Sequence, residues 1–515
     1  MIWLNSGPGI KIIRAHFSAQ STGYPAVTER KRARPADYFA DWKEREALAE
    51  GMIPLVGKLY RNHNVKTYIY GQALVNQSVL EIMQAHRVVR QVEQNELSEF
   101  ETFPVIKALA DLDLGTAHID AGRIAVGYET EGRSQGISVE EYVKSQVSDL
   151  IGASAEPSRE SRDVVLYGFG RIGRLMARLL IEKAGGGENL RLKAVVVRPS
   201  GKEDDLVKRA SLLQRDSVHG QFKGTIRVDQ ERSSFVANGN EIKVIYAGSP
   251  QEIDYTEYGI KDAIVVDNTG KWRDRDGLSQ HLACPGVSKV ILTAPGKGDL
   301  KNIVFGINDG EISDDDAIIS AASCTTNAIA PPLKALDDEF KVVNGHVETV
   351  HAYTNDQNLI DNYHSAKRRG RSAPLNMVLT ETGAAKAVGK VLPQMQGKLT
   401  GNAIRVPTPN VSMAIMKLTL GRETTVDEVN EYMRKVALHS PLRKQIDYSN
   451  SPEVVSSDFV GSRHACIYDS EATIVNGSSA VIYCWYDNEF GYSCQVHRIL
   501  EKMAGVDYAI YPKES

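Results

Sequence analysis

Cys324 and His351 stand 27 residues apart. Together they are the side-chain types that covalent carbonyl chemistry needs: a thiol that attacks, and an imidazole that moves its proton. Ala317 to Ala322 reads as a buried strand, and Ser323-Cys324-Thr325-Thr326-Asn327 leads into a helical stretch with Ile329, Leu333 and Leu336 on one face. Cys324 is therefore expected at a helix start, where free amides and the helix dipole favour a thiolate. His351 closes the strand-like segment Val347-Glu348-Thr349-Val350. Taken alone, a single cysteine reads as a small buried hydrophobe, and the sequence does not show how far it lies from the histidine.

A second constellation precedes these two. Asp163-Val164-Val165-Leu166-Tyr167 has the apolar character of a buried parallel strand and runs into Gly168-Phe169-Gly170-Arg171-Ile172-Gly173. Ile172, Leu175, Met176, Leu179 and Leu180 follow at helical spacing until Gly185-Gly186-Gly187, and Leu192 to Val197 supplies another strand. Glycines are required in such a turn because side chains would keep the backbone from a pyrophosphate, whose charge is met by amides at the helix start. The unit predicts NAD or NADP. At the end of the second strand, where an acid would bind the adenine ribose, the chain reads Val197-Arg198-Pro199-Ser200. Arg198 attracts a 2′-phosphate and Ser200 can hydrogen-bond it, which points to NADP or dual use; Arg198 as a plain surface charge is the alternative.

The rest of the chain must position these groups. Its 515 residues predict about three domains. With 42% hydrophobic and 24% charged residues it is globular in composition, and a net charge of −4 argues against a dedicated nucleic-acid binder. Five scattered cysteines exclude a disulfide framework, and their spacing suggests no metal site. No apolar run is long enough for a membrane span, so a cytoplasmic location is expected. Residues 1–34 form a basic leader, with Glu29 as its one acid, which we expect to be flexible. Residues 35–155 read as a mainly α-helical extension: Tyr38-Phe39, Trp42, Leu48 and Ile53 to Leu55 are spaced for one apolar face, and Ser138 with Glu141 caps a later amphipathic helix. Ala153 to Ser158 has the composition of a linker.

Several further segments carry a family resemblance. Ala322-Ser323-Cys324-Thr325-Thr326-Asn327 and Val350-His351-Ala352-Tyr353-Thr354 resemble the catalytic signatures of phosphorylating glyceraldehyde-3-phosphate dehydrogenase. Thr382-Gly383-Ala384-Ala385-Lys386, Gly397 to Gly401, Arg405 to Asn410 and Trp485 to Tyr492 are similar to other family motifs and stand in the family's order. The resemblance spans residues 163 to about 509 and leaves residues 1–160 without a counterpart. It implies an α/β Rossmann domain at 160–323, completed by a C-terminal helix at 488–509, and an α+β catalytic domain with a mixed sheet at 324–487.

The resemblance also implies the reaction. Cys324 would attack glyceraldehyde 3-phosphate, hydride would pass to NAD or NADP, and inorganic phosphate would release 1,3-bisphosphoglycerate from a thioester, reversibly, in glycolysis or gluconeogenesis. His351 would be the acid–base. Ser323, Thr325, Thr382 and Gly383 would hold the attacking phosphate; Thr354, Asp356 and Arg369 the substrate phosphate; Arg405 both. Gly168, Gly170, Arg171, Ile172, Gly173, Thr269, Thr293 and Asn488 would hold the cofactor, and a homotetramer is implied. Arg198 departs from the acid of NAD-using members, and Asn362-Tyr363 replaces their Leu-Pro pair. Erythrose-4-phosphate dehydrogenase is the neighbouring activity. Regulation through a partner-binding N-terminal domain and a silent scaffold are further alternatives. Cys484 and Cys494 with His497 are expected only to pack, and His346 to be a surface or loop histidine.

Overall fold

Val164, Val165 and Leu166 have no accessible surface, as an unbroken apolar strand in the middle of a parallel sheet should. In the computed structural model, which describes residues 34–93, 97–153, 161–184, 190–380, 382–506 and 508–513, the strand Arg162–Tyr167 is central in an eight-stranded sheet. The leader up to residue 33, most of the expected linker and the glycine run at 185–187 lie outside the described residues. Leu190–Val197 and Asn240–Tyr246 extend the sheet in parallel on one side, and Ala263–Asp267, Val287–Leu292 and Ile318–Ser320 on the other. The order reverses beside Arg162–Tyr167, which makes its carboxyl end the crevice where an open α/β sheet binds ligands.

The last of these strands hands the chain to the helix Cys324–Phe340, which is almost wholly buried under a mixed eight-stranded sheet. Val342–Ala352 lies inside that sheet, parallel to Leu399–Val406 and antiparallel to Ser412–Leu420. This is the register that carries His351 next to Arg405. The helix Phe490–Met503 then returns to pack on Arg171–Lys183 of the dinucleotide unit. It is shorter than the expected 488–509.

The N-terminal region is helical, as expected, and also contains a four-stranded sheet. Gln72–Ala73, Val65–Ile69 and Ala117–Asp120 are joined there by Ala509–Tyr511 from the far end of the chain, parallel to Ala117–Asp120. The long first helix, Tyr38–His63, buries a different face from the expected one. Ala49, Met52, Val56 and Leu59 are inside, whereas Tyr38, Phe39, Trp42 and Ile53 are exposed. Ser138 and Glu141 do form a capping box on Val139–Gln146. No helix among the described residues is long and apolar enough to cross a membrane.

The C-terminal strand ties the extension to the core. Tyr511 is 2% exposed, and its hydroxyl donates to Asp149 at 2.6 Å. Tyr511→Ala is expected to destabilise the N-terminal unit by about 3 kcal/mol, the scale of deleting a buried aromatic. Urea unfolding followed by hydrogen exchange should show that unit opening first; a change below about 1 kcal/mol would mean that the strand is merely laid on the sheet.

Candidate active site

Cys324 is placed by backbone strain. Ala322, a residue with a Cβ, has φ of +55° and is buried, which costs on the order of 1 kcal/mol and reverses the chain between strand and helix. The Ser320 hydroxyl accepts the Ala322 N–H at 3.0 Å, and Tyr492 donates its hydroxyl to the Ala322 carbonyl at 3.0 Å. The Ser323 side chain caps the helix by accepting the Thr326 N–H at 3.0 Å. The Cys324 thiol then sits on the first helical residue, 3.5 Å from His351 Nε2.

On the other side of the imidazole, His351 Nδ1 lies 2.7 Å from the Ala352 carbonyl and 2.7 Å from Arg405 Nη1, which also reaches that carbonyl at 2.9 Å. The two Nδ1 contacts are alternatives. A guanidinium only donates, so Nδ1 accepts from Arg405 when bare and donates to Ala352 when protonated. Only the second state leaves a lone pair on Nε2 for the thiol proton. Arg405 Nε is buried without a protein partner, as fits a group awaiting an oxyanion.

Tyr486 was not singled out by sequence, although it lies within the Trp485 to Tyr492 motif. Its hydroxyl bridges Thr325 at 3.0 Å and Thr349 at 2.7 Å, and its ring meets His351 edge-on at 5.9 Å. It therefore positions both the helix start and the base. Val411 has φ of +63° and is held between the Asn410–Asp487 bond at 2.9 Å and the Ser412–Asn488 bond at 2.9 Å. Asn488 is thereby fixed through its oxygen, with its amide N–H left to donate elsewhere.

The remaining expected anion ligands are more dispersed. Arg369 pairs with Asp356 at 2.5 Å and donates to Thr380 Oγ1 at 3.1 Å, within electrostatic reach of Arg405. Thr382 and Gly383 begin the helix Ala384–Val391, where Thr382 Oγ1 accepts the Ala384 N–H at 3.2 Å. Thr354 lies beyond the strand end, its carbonyl accepting from Gln357. Among the described residues no hydrogen bond or ion pair joins these five to Cys324. His346 is on the strand Val342–Ala352, not in a loop, and bonds Thr400 and Asn402. Its odd offset from His351 puts it on the opposite face of the sheet.

The dinucleotide turn has the required shape. Gly168 has φ of +92°, and a Cβ on Gly173 would fall 2.2 Å from the Gly168 carbonyl, so both positions need glycine. A Cβ on Gly170 would meet open space, the room a pyrophosphate fills. Gly170 caps Arg171–Lys183 without a side-chain acceptor, so the first amides, those of Arg171, Ile172 and Gly173, remain for an anion. The Arg171 guanidinium does not face that space: it is bound to Asp216 and Glu489, so its expected cofactor role is confined to its backbone. Thr269 and Thr293 gather around Asp267 beside the turn, Thr269 donating to the carboxylate at 2.6 Å and Thr293 to the carbonyl at 3.0 Å. Arg198 is exposed at the end of Leu190–Val197, and its guanidinium makes no hydrogen bond or ion pair with the described residues.

Burial pushes the Cys324 thiol up, against the opposing pull of Arg405 and the Thr325 hydroxyl. Burial, then Arg405, pushes His351 down to about 3. Both shifts favour the neutral forms, a thiol beside a neutral imidazole. The iodoacetamide alkylation rate of Cys324 is expected to rise with pH and still be rising at pH 9. A plateau by pH 7 would show a preformed ion pair instead. His351→Asn is expected to lower kcat by about 10²- to 10⁴-fold, the usual worth of a general base.

The family description "Glyceraldehyde 3-phosphate dehydrogenase, NAD binding domain" matches residues 162–275, and "Glyceraldehyde 3-phosphate dehydrogenase, C-terminal domain" matches residues 323–488. A glyceraldehyde-3-phosphate dehydrogenase-like protein of Pseudomonas aeruginosa is 62% identical over 464 residues, 90% of this chain and all of that protein. The plasmid-borne glyceraldehyde-3-phosphate dehydrogenase of Cupriavidus necator is 41% identical over 67% of this chain and 98% of its own length. The chloroplastic enzyme GAPB of Arabidopsis thaliana is 43% identical over 67% of this chain and 76% of its own length. Match to both domains and to these relatives shows that the chain belongs to the glyceraldehyde-3-phosphate dehydrogenase family, with an N-terminal region added to its dehydrogenase core.

Proposed function

We propose that the chain catalyses the phosphorylating oxidation of glyceraldehyde 3-phosphate to 1,3-bisphosphoglycerate, reversibly, in glycolysis or gluconeogenesis in the cytoplasm. The observation that carries this reading is the Cys324 thiol at a helix start, 3.5 Å from His351 Nε2, with a half-buried guanidinium behind the imidazole. As Sγ bonds to the aldehyde carbon, its proton passes to Nε2, and the carbonyl oxygen takes its charge beside the Cys324 amide. Bound NAD or NADP supplies the hydride acceptor. Nε2 hands that proton to the oxygen, giving a hemithioacetal hydroxyl, and takes it back as the carbon-bound hydrogen leaves as hydride and the thioester forms; phosphate attack on the thioester carbon then breaks the C–S bond, and the departing thiolate recovers the proton from His351.

Arg405 gives this sequence an order. An anion that draws its guanidinium off Nδ1 frees that nitrogen to carry a proton toward the Ala352 carbonyl, and Nε2 then has the lone pair that the thiol needs. Substrate or inorganic phosphate thus prepares the base as it binds. For the cofactor, the unpaired Arg198 stands at the strand end, and beyond it lies a cleft of about 350 Å3 lined by the donors Ser200, Lys202, Gln230 and Ser233, together with Glu203 and with Asp205, which is paired with Arg209 at 2.6 Å. These donors support NADP or dual use. Leu359, Ile360, Tyr363, Leu375 and Met377 are all exposed on the segment between Val342–Ala352 and Val378–Thr380, which supports burial against other copies in a homotetramer.

Initial rates with glyceraldehyde 3-phosphate or erythrose 4-phosphate, with and without inorganic phosphate, and with NAD or NADP, test this reading. The expected outcome is phosphate-dependent reduction favouring glyceraldehyde 3-phosphate, with NADP at least as effective as NAD. Cys324→Ser should lower kcat by about 10³-fold or more. Arg198→Glu should raise KM for NADP about tenfold and leave that for NAD little changed. Oxidation that proceeds equally well without phosphate, or in Cys324→Ser, would refute the mechanism.

A further inference from the structure

A cavity of about 490 Å3 lies between the small N-terminal sheet and the dehydrogenase core, apart from the groups assigned to the active site and the dinucleotide turn. Side chains alternate along a strand, so Lys66 and Tyr68 share the face of the sheet that lines it with His118, the register partner of Lys66, and Tyr70 lines it from the turn that follows. Val65, Ile69, Ala117 and Ile119 turn the other way, into the unit's own apolar core. The facing wall is the helix Phe490–Met503, which presents Cys494, Arg498 and Glu501 at helical spacing. Lys444 and Arg463 of the catalytic unit close it. The C-terminal end of Arg171–Lys183 also borders the cavity, whereas the dinucleotide turn is at that helix's other end, roughly 18 Å away at 1.5 Å per residue.

The lining is unbalanced in charge. Among the described residues, eight lysines and arginines line the cavity against four carboxylates. Each carboxylate already has a partner. Glu182 pairs with Arg463 at 2.6 Å, Asp120 with Arg123 at 3.6 Å, Glu501 with Lys183 at 3.4 Å, and Asp447 lies 3.5 Å from His464. Arg498 finds only neutral acceptors, the Arg463 carbonyl at 3.2 Å and Gln495 Oε1 at 2.7 Å. Half-buried Lys444 makes no hydrogen bond or ion pair within 4 Å among the described residues, and burial together with Arg498 and Arg443 pushes its ammonium down to about 8.

The sheet side is aromatic. His118 stacks on Tyr508 at 4.3 Å and lies 5.4 Å from Tyr68, while Lys66 stands over the Tyr508 ring at 4.9 Å. His118 Nε2 is buried with no partner. A surface that served only to dock two units would be filled by apolar side chains; an excess of cations that persists after Lys502 has paired with Asp309 at 3.0 Å, beside an unpartnered imidazole nitrogen and tyrosines, is unfavourable until an anion enters.

We propose that this cavity is a nucleotide-binding site, with the phosphates on Arg498 and Lys444 and the base along the wall formed by Tyr68, His118 and Tyr508. Its volume is in the range of small-molecule sites, and five tyrosines in the lining favour a planar ring over a bare sugar phosphate. The site needs all three parts of the chain, so its ligand would bind the extension to the core. The proposal stands on the cavity and does not depend on the reaction proposed above.

The test is calorimetric titration of the full chain, saturated with NAD so that the dinucleotide turn is filled, with AMP, ATP, ribose 5-phosphate and pyrophosphate. One equivalent of AMP or ATP is expected to bind, with ribose 5-phosphate and pyrophosphate at least tenfold weaker. Lys444→Gln and Arg498→Gln should each weaken nucleotide binding tenfold or more and leave NAD binding at the turn unchanged. If Arg498→Gln fails to fold, Lys444→Gln, at a half-exposed position, carries the test. A second equivalent of NAD that is lost in Lys444→Gln supports the same site with NAD as its nucleotide. Absence of any second nucleotide per chain, unchanged affinity in Lys444→Gln, or pyrophosphate binding as tightly as ATP would each overturn the proposal.

Discussion

The active site depends on one awkward joint. The last strand of the dinucleotide sheet, Ile318–Ser320, must become the helix of the catalytic unit by Cys324, and three residues are enough only because Ala322 adopts a left-handed backbone. That strain is held from outside the joint. Tyr492, on the helix that returns from the catalytic unit, donates to the Ala322 carbonyl, and Ser320 takes the Ala322 N–H. The thiol is therefore aimed by a contact between the two halves of the dehydrogenase. This explains why the nucleophile can stand at the border of the cofactor crevice and still face a histidine from the catalytic sheet: the boundary runs through the joint.

The parts of this arrangement that were legible in the sequence are those whose chemistry is local. The glycines are readable because each need is local: Gly168 is imposed by its own backbone, Gly173 by a contact five residues away, and Gly170 leaves room for a pyrophosphate. Cys324 and His351 are readable as types, and as a pair through the family's motifs. Their distance comes from the alignment of Val342–Ala352 with neighbours up to 78 residues away, which spacing does not encode. The roles of Tyr486 and Ala322 were hidden for the same reason, since one works through Thr325 and Thr349 and the other through a residue 170 positions on.

The N-terminal region shows the converse. Its helices were visible because helical periodicity is written in neighbouring residues, but the buried face of Tyr38–His63 was misread. Tyr38, Phe39 and Trp42 are the largest apolar residues near its start, yet the face that meets the helix Glu99–Ala110 is the one with Ala49, Met52 and Val56. Size marks what can be buried; packing against a partner decides what is. The small sheet was missed because its strands are short and its last one, Ala509–Tyr511, arrives after the whole dehydrogenase has been traversed. No window of sequence contains both sides of that pairing.

That pairing changes what the extension is physically. A domain joined only at residue 160 could be removed or moved freely, whereas here the C-terminal strand closes the N-terminal sheet and buries Tyr511 in its core. The dehydrogenase is thus held by the extension at both ends of its sequence. The added contact with the core is sparse in direct ion pairs, chiefly Lys223 with Glu81 at 2.8 Å, together with the Lys66 ammonium donating to the Lys183 carbonyl at 3.4 Å. Exposed pairs of this kind are worth about 0–1 kcal/mol each. The strand therefore contributes more to the attachment than the surface charges do, and the polar cavity can lie between the two units without the extension coming away from the core.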